Sequence, residues 1–298
     1  MSNKFKGQTI RNKELTANLI LLIVAIIWGW GFVAGKQALT TLSPWAVLMY
    51  RFTMAAVLCG VFFCKRIAKT PKSTAARGCL IGTMQTCALA VQLIGLQYTT
   101  PAKQSFLCTA YVALVPFLSW IVLRKRPQAK AFGAGIIALA GLGLISLKSG
   151  EGFTIGFGDA MSLGFAVIFG LQIVLTGMFV RDDADGIQLS FFQFVAAAVM
   201  SGLVCLFTGA ELAIFTAESL TGILFLGVLN TFVALIGQNL GQKYAADTTA
   251  SLILSLESVF GCIFSVLYYG ESVGWRMAAG GVLCFAAILI NTAQKKGV

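Results

Sequence analysis

Two charged residues stand within stretches of sequence that are otherwise apolar. Glu257 lies in SLILSLESVFGCIFSVLYYGE, which runs from Ser251 to Glu271, and Arg51 lies in an apolar window at about 44–64. A guanidinium binds carboxylate or phosphate groups through paired N–H donors, and a carboxylate binds an ammonium group or a proton. One acid and one base of this kind would suit a zwitterion if both faced the same space.

The composition indicates which solvent surrounds these residues. Hydrophobic residues make up 58% of the chain and charged residues 11%, and the mean hydropathy is +0.86. A soluble domain carries about 25% charged residues, so this chain lacks the polar atoms to coat a globule in water, whereas a lipid bilayer removes that need. Histidine is absent and the eight cysteines show no CxxC spacing, so the sequence predicts no metal site and no cofactor.

Windows long enough to cross a bilayer recur along the whole chain. About 20 residues of helix span the hydrocarbon layer, and backbone amides in lipid must be satisfied within the segment, which favours helices. Ten windows with at most one charge run over 15–35, about 44–64, 78–102, 104–123, 131–147, 160–180, 186–210, 219–242, about 248–270 and 277–294. The sequence therefore predicts an all-α integral membrane protein with ten transmembrane helices.

The distribution of basic residues predicts the direction of these helices. With the N-terminus inside, the inner segments hold seventeen Lys and Arg residues and the outer loops hold four. Positive charges accumulate on the cytoplasmic side of membrane proteins. We expect both termini to lie in the cytoplasm, in a bacterial-type inner (plasma) membrane, and we interpret the net charge of +11 as a topology signal rather than as a nucleic-acid surface.

The two halves of the chain resemble each other at a nearly constant offset. Shifting the sequence by 146 places Gly95 on Gly241 and Tyr98 on Tyr244, and a shift of 142 lays YRFTMAAV from Tyr50 over FQFVAAAV from Phe192. Each half holds five spans, so the second copy enters the membrane from the opposite side. The sequence thus predicts an inverted repeat around a central cavity, with substrate bound near the midplane.

Four segments carry a resemblance to a known family. They are AIIWGWGFVAGKQAL in the first span, PWAVLMYRF entering the second, LQYTTPAKQSF joining the third and fourth, and LSLESVFGCIFSVLYYGESVGWRMAAGGVL in the ninth and tenth. The chain resembles the drug/metabolite transporter superfamily, specifically its EamA-type exporters, with repeats over 15–147 and 156–294. The resemblance implies a basket of helices whose cavity is lined by spans 1–4 and 6–9. The family commonly has Glu-Pro in the ninth span, whereas Ser258 follows Glu257 here.

The predicted depth of Glu257 and Arg51 in the membrane indicates that both face protein or a cavity rather than lipid. Glu257 lies about 13 Å along its helix from Thr248 at ~1.5 Å per residue, where a charge facing lipid costs about 2.5–3.5 kcal/mol. The repeat superposes Glu257 on Tyr111 and Arg51 on Gln193. Three roles stay open: the two charges pair with each other, they contact a substrate, or Glu257 carries a coupling proton.

Further polar and aromatic residues are candidates for the cavity wall. Gln238 aligns with Gln92 at the offset of 146, although amides also bond helices together in membranes. Trp28 and Trp30 lie two positions apart and point to different sides of their helix, so at most one lines the path. The candidate cavity residues are Glu257, Arg51, Tyr111, Gln193, Gln92, Gln238, Trp30, Tyr50, Asn230 and Lys103, of which Lys103 has snorkelling to the membrane interface as its alternative.

These residues predict a secondary active transporter that exports amino acids or related small metabolites by alternating access. The alternative is an uptake carrier for a vitamin, nucleotide-like or phosphorylated metabolite, which needs Arg51 and Lys103 to face inward together. The chain has no GxxxxGK[ST] motif for ATP and no cluster of reactive groups at one depth, so an enzyme is not expected. The expected partners are a small-molecule substrate, the lipid bilayer and protons as coupling ion, with a monomer favoured because ten helices already enclose a cavity.

Overall fold

The chain folds almost entirely into α-helices. The structure is a computed structural model that describes residues 2–124, a few positions between 133 and 153, and residues 155–182, 184–210, 212, 215–245 and 247–292. Its helices are α1 Ser2–Ala38, α2 Pro44–Ile67, α3 Lys72–Leu96, α4 Pro101–Cys108, α5 Tyr111–Leu123, α6 Phe157–Arg181, α7 Gly186–Thr208, α8 Ala217–Phe225, the π-helical segment Leu226–Val233, α9 Ala234–Gln242, α10 Asp247–Leu254, α11 Glu257–Tyr269 and α12 Trp275–Thr292. A two-residue hairpin, β1 Leu147–Lys148 and β2 Gly152–Phe153, is antiparallel.

Eight helical segments within the described residues are long and apolar enough to cross a membrane, by length and composition. They correspond to predicted spans one to four and six to nine. The tenth predicted span corresponds to α12, which contains a shorter apolar stretch at Trp275–Ala287. More than half of the fifth predicted span, 131–147, lies outside the described residues.

The predicted third window runs too far toward the C-terminus. It extends to residue 102, whereas α3 ends at Leu96 and α4 begins at Pro101. The new helix starts there because Pro101 needs no partner for a backbone N–H at the first helical position. The Thr100 hydroxyl also accepts a hydrogen bond from the Lys103 N–H at 3.3 Å, which caps the helix.

Within the described residues, two apolar segments are each divided into two successive helices, at corresponding places in the two halves. The pair α4 and α5 and the pair α10 and α11 have boundaries that differ by 146 residues at every end. The second interruption forms without the proline common in the resembling family. There the Ser258 hydroxyl donates to the Ser255 carbonyl at 2.8 Å, and the Ser255 hydroxyl donates to the Leu252 carbonyl at 2.5 Å. Serine hydroxyls that bond preceding carbonyls bend helices in this way.

Helices of the first half pack against helices of the second half. The most extensive contacts join α2 to α7 and α3 to both α6 and α7. Gly82 of α3 permits one of these approaches, because an added Cβ there would collide with the backbone carbonyl of Gln193 in α7. The buried core runs continuously through both halves and includes Tyr111, Phe52 and Phe194.

Candidate functional site

A narrow cavity lies in the interior, between helices of both halves. Its wall takes side chains from α1, α2, α3, α4, α6, α9, α11 and the π-helical segment. Its volume is about 40 Å³, which is room for about three water molecules. Arg51 and Glu257 both line it, although they are 3% and 4% exposed respectively.

Arg51 is held by two neutral acceptors on the facing helix. Its Nε donates to the Thr231 hydroxyl at 2.8 Å, and its Nη2 donates to the Asn230 side-chain carbonyl at 2.7 Å. The Nη1 group has no hydrogen-bond partner among the described residues. The guanidinium is therefore fixed in orientation while one of its N–H groups remains available to a ligand carboxylate.

The π-helical segment Leu226–Val233 places these two acceptors. The Thr231 hydroxyl also donates to the Leu226 carbonyl five residues earlier, at 2.7 Å. The Asn230 backbone carbonyl accepts a hydrogen bond from the Trp28 indole at 3.2 Å, and the Asn230 amide donates to the Ile27 carbonyl at 3.3 Å. Single π-helical turns within α-helices are frequent at functional sites. This one ties α1 and α2 together at the cavity.

Glu257 is the first residue of α11, directly after the interruption at Ser255–Leu256. Its Oε1 atom and the Tyr111 hydroxyl are both buried, neither forms a hydrogen bond within the geometric limits among the described residues, and the two groups lie close enough to interact with each other. Tyr111 occupies the corresponding place as the first residue of α5 and packs edge-on against Phe169 at 5.2 Å. Arg51 and Glu257 share the cavity without forming an ion pair, because no N–O distance between them is within 4.0 Å.

Aromatic rings form much of the remaining wall. Trp28, Phe32, Phe165 and Phe169 line the cavity. Phe165 and Phe169 stack at 4.9 Å between ring centroids, and Trp28 meets Phe169 edge-on at 5.6 Å. The cavity that holds the acid and the base thus also offers a face suited to an apolar or aromatic group.

A buried amide network reaches the cavity from its side. Gln85 lines the cavity and accepts a hydrogen bond from the Gln193 amide at 3.5 Å. Asn239 in turn donates to Gln193 at 3.3 Å and to the Ser190 hydroxyl at 2.7 Å. Gln193 therefore lies behind the wall. Gln238 is fully buried, does not line the cavity, and has no hydrogen-bond partner for either amide atom in the described part of the chain.

The other predicted residues divide between the wall and the helix ends. Gln92 and Asn230 line the cavity. Trp30 packs against Phe225, Phe264 and Tyr268 instead, because it lies about 200° around α1 from Trp28.

Tyr50 and Lys103 also lie outside the wall. The Tyr50 hydroxyl donates to the Leu212 carbonyl, and its ring packs edge-on against Phe215. Lys103 forms an ion pair with Asp159 at 2.9 Å. Lys103 is therefore engaged by a carboxylate and does not add a second positive charge to the cavity.

Several cavity residues were not predicted. Gln104 lines the cavity and donates to the Gln92 carbonyl at 2.7 Å, whereas Thr231 does not line the cavity but accepts from Arg51. Both are neutral polar residues in apolar helices and carried no distinctive signal. Phe165 and Phe169 are four positions apart, so they lie on one helix face. That spacing was a signal, but many apolar helices share it.

Ion pairs join helix ends on the side predicted to be cytoplasmic. Arg66 pairs with Asp185 at 2.6 Å, Arg77 with Asp182 at 2.7 Å, and Arg181 with Asp247 at 2.8 Å. Partial burial alone would raise the pKa of the Asp185 carboxyl. Hydrogen bonds from the Arg66 side chain and from the first backbone N–H groups of α7 outweigh it, so this pKa is lower than the ordinary 3.8.

The chain resembles curated transporters in sequence and a solved structure in fold, in each case over most of its length. An "Uncharacterized transporter" of Archaeoglobus fulgidus is 33% identical over 278 residues, covering 93% of this chain and 86% of the relative. The "Uncharacterized transporter YvbV" of Bacillus subtilis is 25% identical, covering 93% and 92%. A solved crystal structure at 17% identity has the same fold, with a TM-score of 0.71 and coverage of 93% and 96%.

The family comparison agrees with the predicted resemblance and with its division into two halves. The model of the EamA-like transporter family matches residues 15–147 and again residues 156–293. These two matches leave out only the chain ends and a short connection between the halves. The chain is a multi-pass membrane protein, and it belongs to the EamA-like transporter family of the drug/metabolite transporter superfamily.

Proposed function

We propose that this transporter moves amino acids or related zwitterionic metabolites out of the cell by secondary active transport. One observation carries the proposal: a buried base and a buried acid line one cavity and do not neutralise each other. Holding a guanidinium inside a membrane protein without a counter-ion costs several kcal/mol, and a buried carboxyl without a cationic partner takes up a proton instead. A zwitterion would offset this cost, with its carboxylate on Arg51 and its ammonium on Glu257.

The surrounding groups support an apolar or aromatic side chain on that zwitterion. Thr231 and Asn230 orient the guanidinium, and the stacked rings of Phe165 and Phe169 offer a wall for the remainder of the substrate. A cavity with room for about three water molecules is too small for an amino acid. Substrate entry therefore requires the helices to move apart, as alternating access demands.

The proposed architecture is ten transmembrane helices in two inverted five-helix repeats. Two features support it: the family model matches twice, and the interrupted helices break at positions 146 residues apart. In transporters of inverted-repeat design, interrupted helices mark a binding site near the midplane. Both termini are proposed to lie in the cytoplasm of a bacterial-type inner membrane, which the seventeen inner and four outer basic residues support.

Protons are the proposed coupling ions, and Glu257 is their proposed carrier. Its buried carboxyl group lines the cavity next to Tyr111, where it can exchange a proton for the substrate ammonium. The protein is proposed to act as a monomer. The alternative of phosphorylated substrates has less support, because Arg51 is the one cation among the residues that line the described cavity and Lys103 is paired with Asp159.

A ligand screen and a vesicle assay test the proposal. The purified protein is screened by thermal shift against amino acids, purines and vitamins, since a ligand that binds the folded state raises its apparent stability. The best amino acid is then followed, as labelled solute, into everted membrane vesicles with an acidic interior. We expect accumulation that collapses with the pH gradient.

Glu257→Gln is the diagnostic variant in the vesicle assay, and Glu14→Gln, at the exposed start of the first span, is its matched control. Glu257→Gln should lose gradient-driven accumulation while the control keeps it. Accumulation in right-side-out vesicles alone would contradict export, and unchanged gradient dependence in Glu257→Gln would remove this residue as the proton carrier.

A further inference from the structure

A second and larger cavity opens at the helix ends predicted to be cytoplasmic. It lies between residues 13–20 of α1, the end of α2, the start of α7 and the end of α9, and its volume is about 470 Å³. It shares no lining residue with the cavity that holds Arg51 and Glu257. The two cavities are therefore separate sites.

The charge of this second cavity is positive. Lys13, Arg66 and Lys243 line it, and Asp185 is the one carboxylate among its described lining residues. Asp185 is already engaged, because it pairs with Arg66 at 2.6 Å and accepts hydrogen bonds from the first backbone N–H groups of α7. Neither lysine has a carboxylate within ion-pair distance in the part of the chain that the structure describes. The site thus carries an excess of two positive charges.

Apolar surface continues from these charges toward the membrane interior. Ile20 lies seven residues beyond Lys13 on α1, about 10 Å deeper at ~1.5 Å per residue, and it lines the same cavity with Leu240 of α9. The Tyr244 ring stands at the boundary, with the Lys13 ammonium 5.5 Å from its centroid. The basic residues suit the anionic headgroup of a phospholipid, and the aliphatic side chains deeper along α1 suit its acyl chains.

We propose that this cavity binds the headgroup phosphate of an anionic phospholipid from the cytoplasmic leaflet. The phosphate lies between the ammonium groups of Lys13 and Lys243 and within reach of Arg66, and an acyl chain follows Ile20 and Leu240. Basic pockets between membrane helices on the cytoplasmic side bind anionic lipid headgroups. A free phosphate would use the cations but would leave the apolar flank uncovered, which favours the lipid.

The test measures lipid binding to the full chain, purified and delipidated in neutral detergent, by native mass spectrometry. Phosphatidylglycerol and phosphatidylcholine of identical acyl chains are titrated separately. A lysine beside an anionic headgroup contributes about fivefold in affinity, so Lys13→Gln with Lys243→Gln should weaken phosphatidylglycerol binding about 25-fold. The matched control, Lys69→Gln with Lys72→Gln, changes two basic residues outside the cavity and should leave binding within about twofold.

Three results would overturn the proposal. The first is equal affinity for the two lipids, and the second is an equal loss in the control. The third is binding of glycerol phosphate to the lipid-free protein as tightly as phosphatidylglycerol binds. That result would assign the site to a soluble anion. Lys243→Gln alone, with an expected loss of about fivefold, decides the question if the double variant does not elute as a single folded species.

Discussion

Replacement of Arg51 by lysine keeps the charge but removes the geometry on which substrate binding is proposed to depend. The guanidinium uses Nε and Nη2 for Thr231 and Asn230, at 2.8 and 2.7 Å, and leaves Nη1 for a ligand. A lysine ammonium is a single nitrogen and cannot reproduce this planar arrangement. If the ammonium bonds Thr231 and Asn230, the hydrogen bond that Nη1 would donate to the substrate carboxylate is lost, and a hydrogen bond to a charged group is worth about 1.5–3 kcal/mol.

This loss should weaken binding of the substrate carboxylate about 10- to 150-fold. The assay is the dissociation constant of the amino acid that gives the largest thermal shift, measured by titration calorimetry with wild type and Arg51→Lys. Lys72→Arg, at the exposed start of α3, exchanges the same two residue types away from the cavity and should bind like wild type. A dissociation constant for Arg51→Lys within twofold of wild type, in protein that elutes as a folded monomer, would refute the reasoning.

Three further predictions concern an acceptor of Arg51, an ion pair at the helix ends and a close helix contact. Thr231→Val removes the hydroxyl that accepts from Arg51 while keeping the side-chain shape, so we expect about tenfold weaker binding in the same titration, and an unchanged value would contradict the positioning role. Asp185 has a pKa below 3.8 in the folded protein, so its contribution to stability is complete above that pH and is lost as the pH falls through the folded value. Thermal unfolding from pH 7 to 3 should therefore show a smaller acid loss for Asp185→Asn than for wild type, and identical curves would contradict this. Gly222→Ala places a Cβ 2.6 Å from the Ala34 carbonyl and should lower the melting temperature, at a cost of about 1–3 kcal/mol, whereas Gly274→Ala meets nothing within 4 Å and should be neutral.

The sequence was informative about the apolar helices and about the correspondence between the two halves of the chain. Eight of the ten apolar windows correspond to long apolar helices among the described residues, and most of their ends agree to within three residues, the third window excepted. The offset of 146 placed Glu257 on Tyr111, and the structure puts both residues at the start of the second part of an interrupted helix. The resemblance to the EamA-type family was confirmed by the family match.

The sequence did not predict which face of each helix points inward or which distant side chains pair with each other. The choice between Trp28 and Trp30 depends on which side of α1 faces inward, and uniformly apolar helices give little amphipathic signal to decide it. The ion pair of Lys103 with Asp159 joins residues in different halves, and no local pattern indicates it. The π-helical segment Leu226–Val233 depends on packing with α1 and α2, so local propensity does not predict the acceptors of Arg51.

The most direct test of a shared acid–base site compares three ligands against two variants. The ligands are the best-binding amino acid, its decarboxylated amine and its deaminated acid, and the readout is thermal stabilisation of wild type, Arg51→Gln and Glu257→Gln. Arg51→Gln should bind the amino acid no better than the amine, and Glu257→Gln should bind it no better than the acid. If both variants still prefer the intact amino acid by the same margin as wild type, the two charges do not hold the substrate.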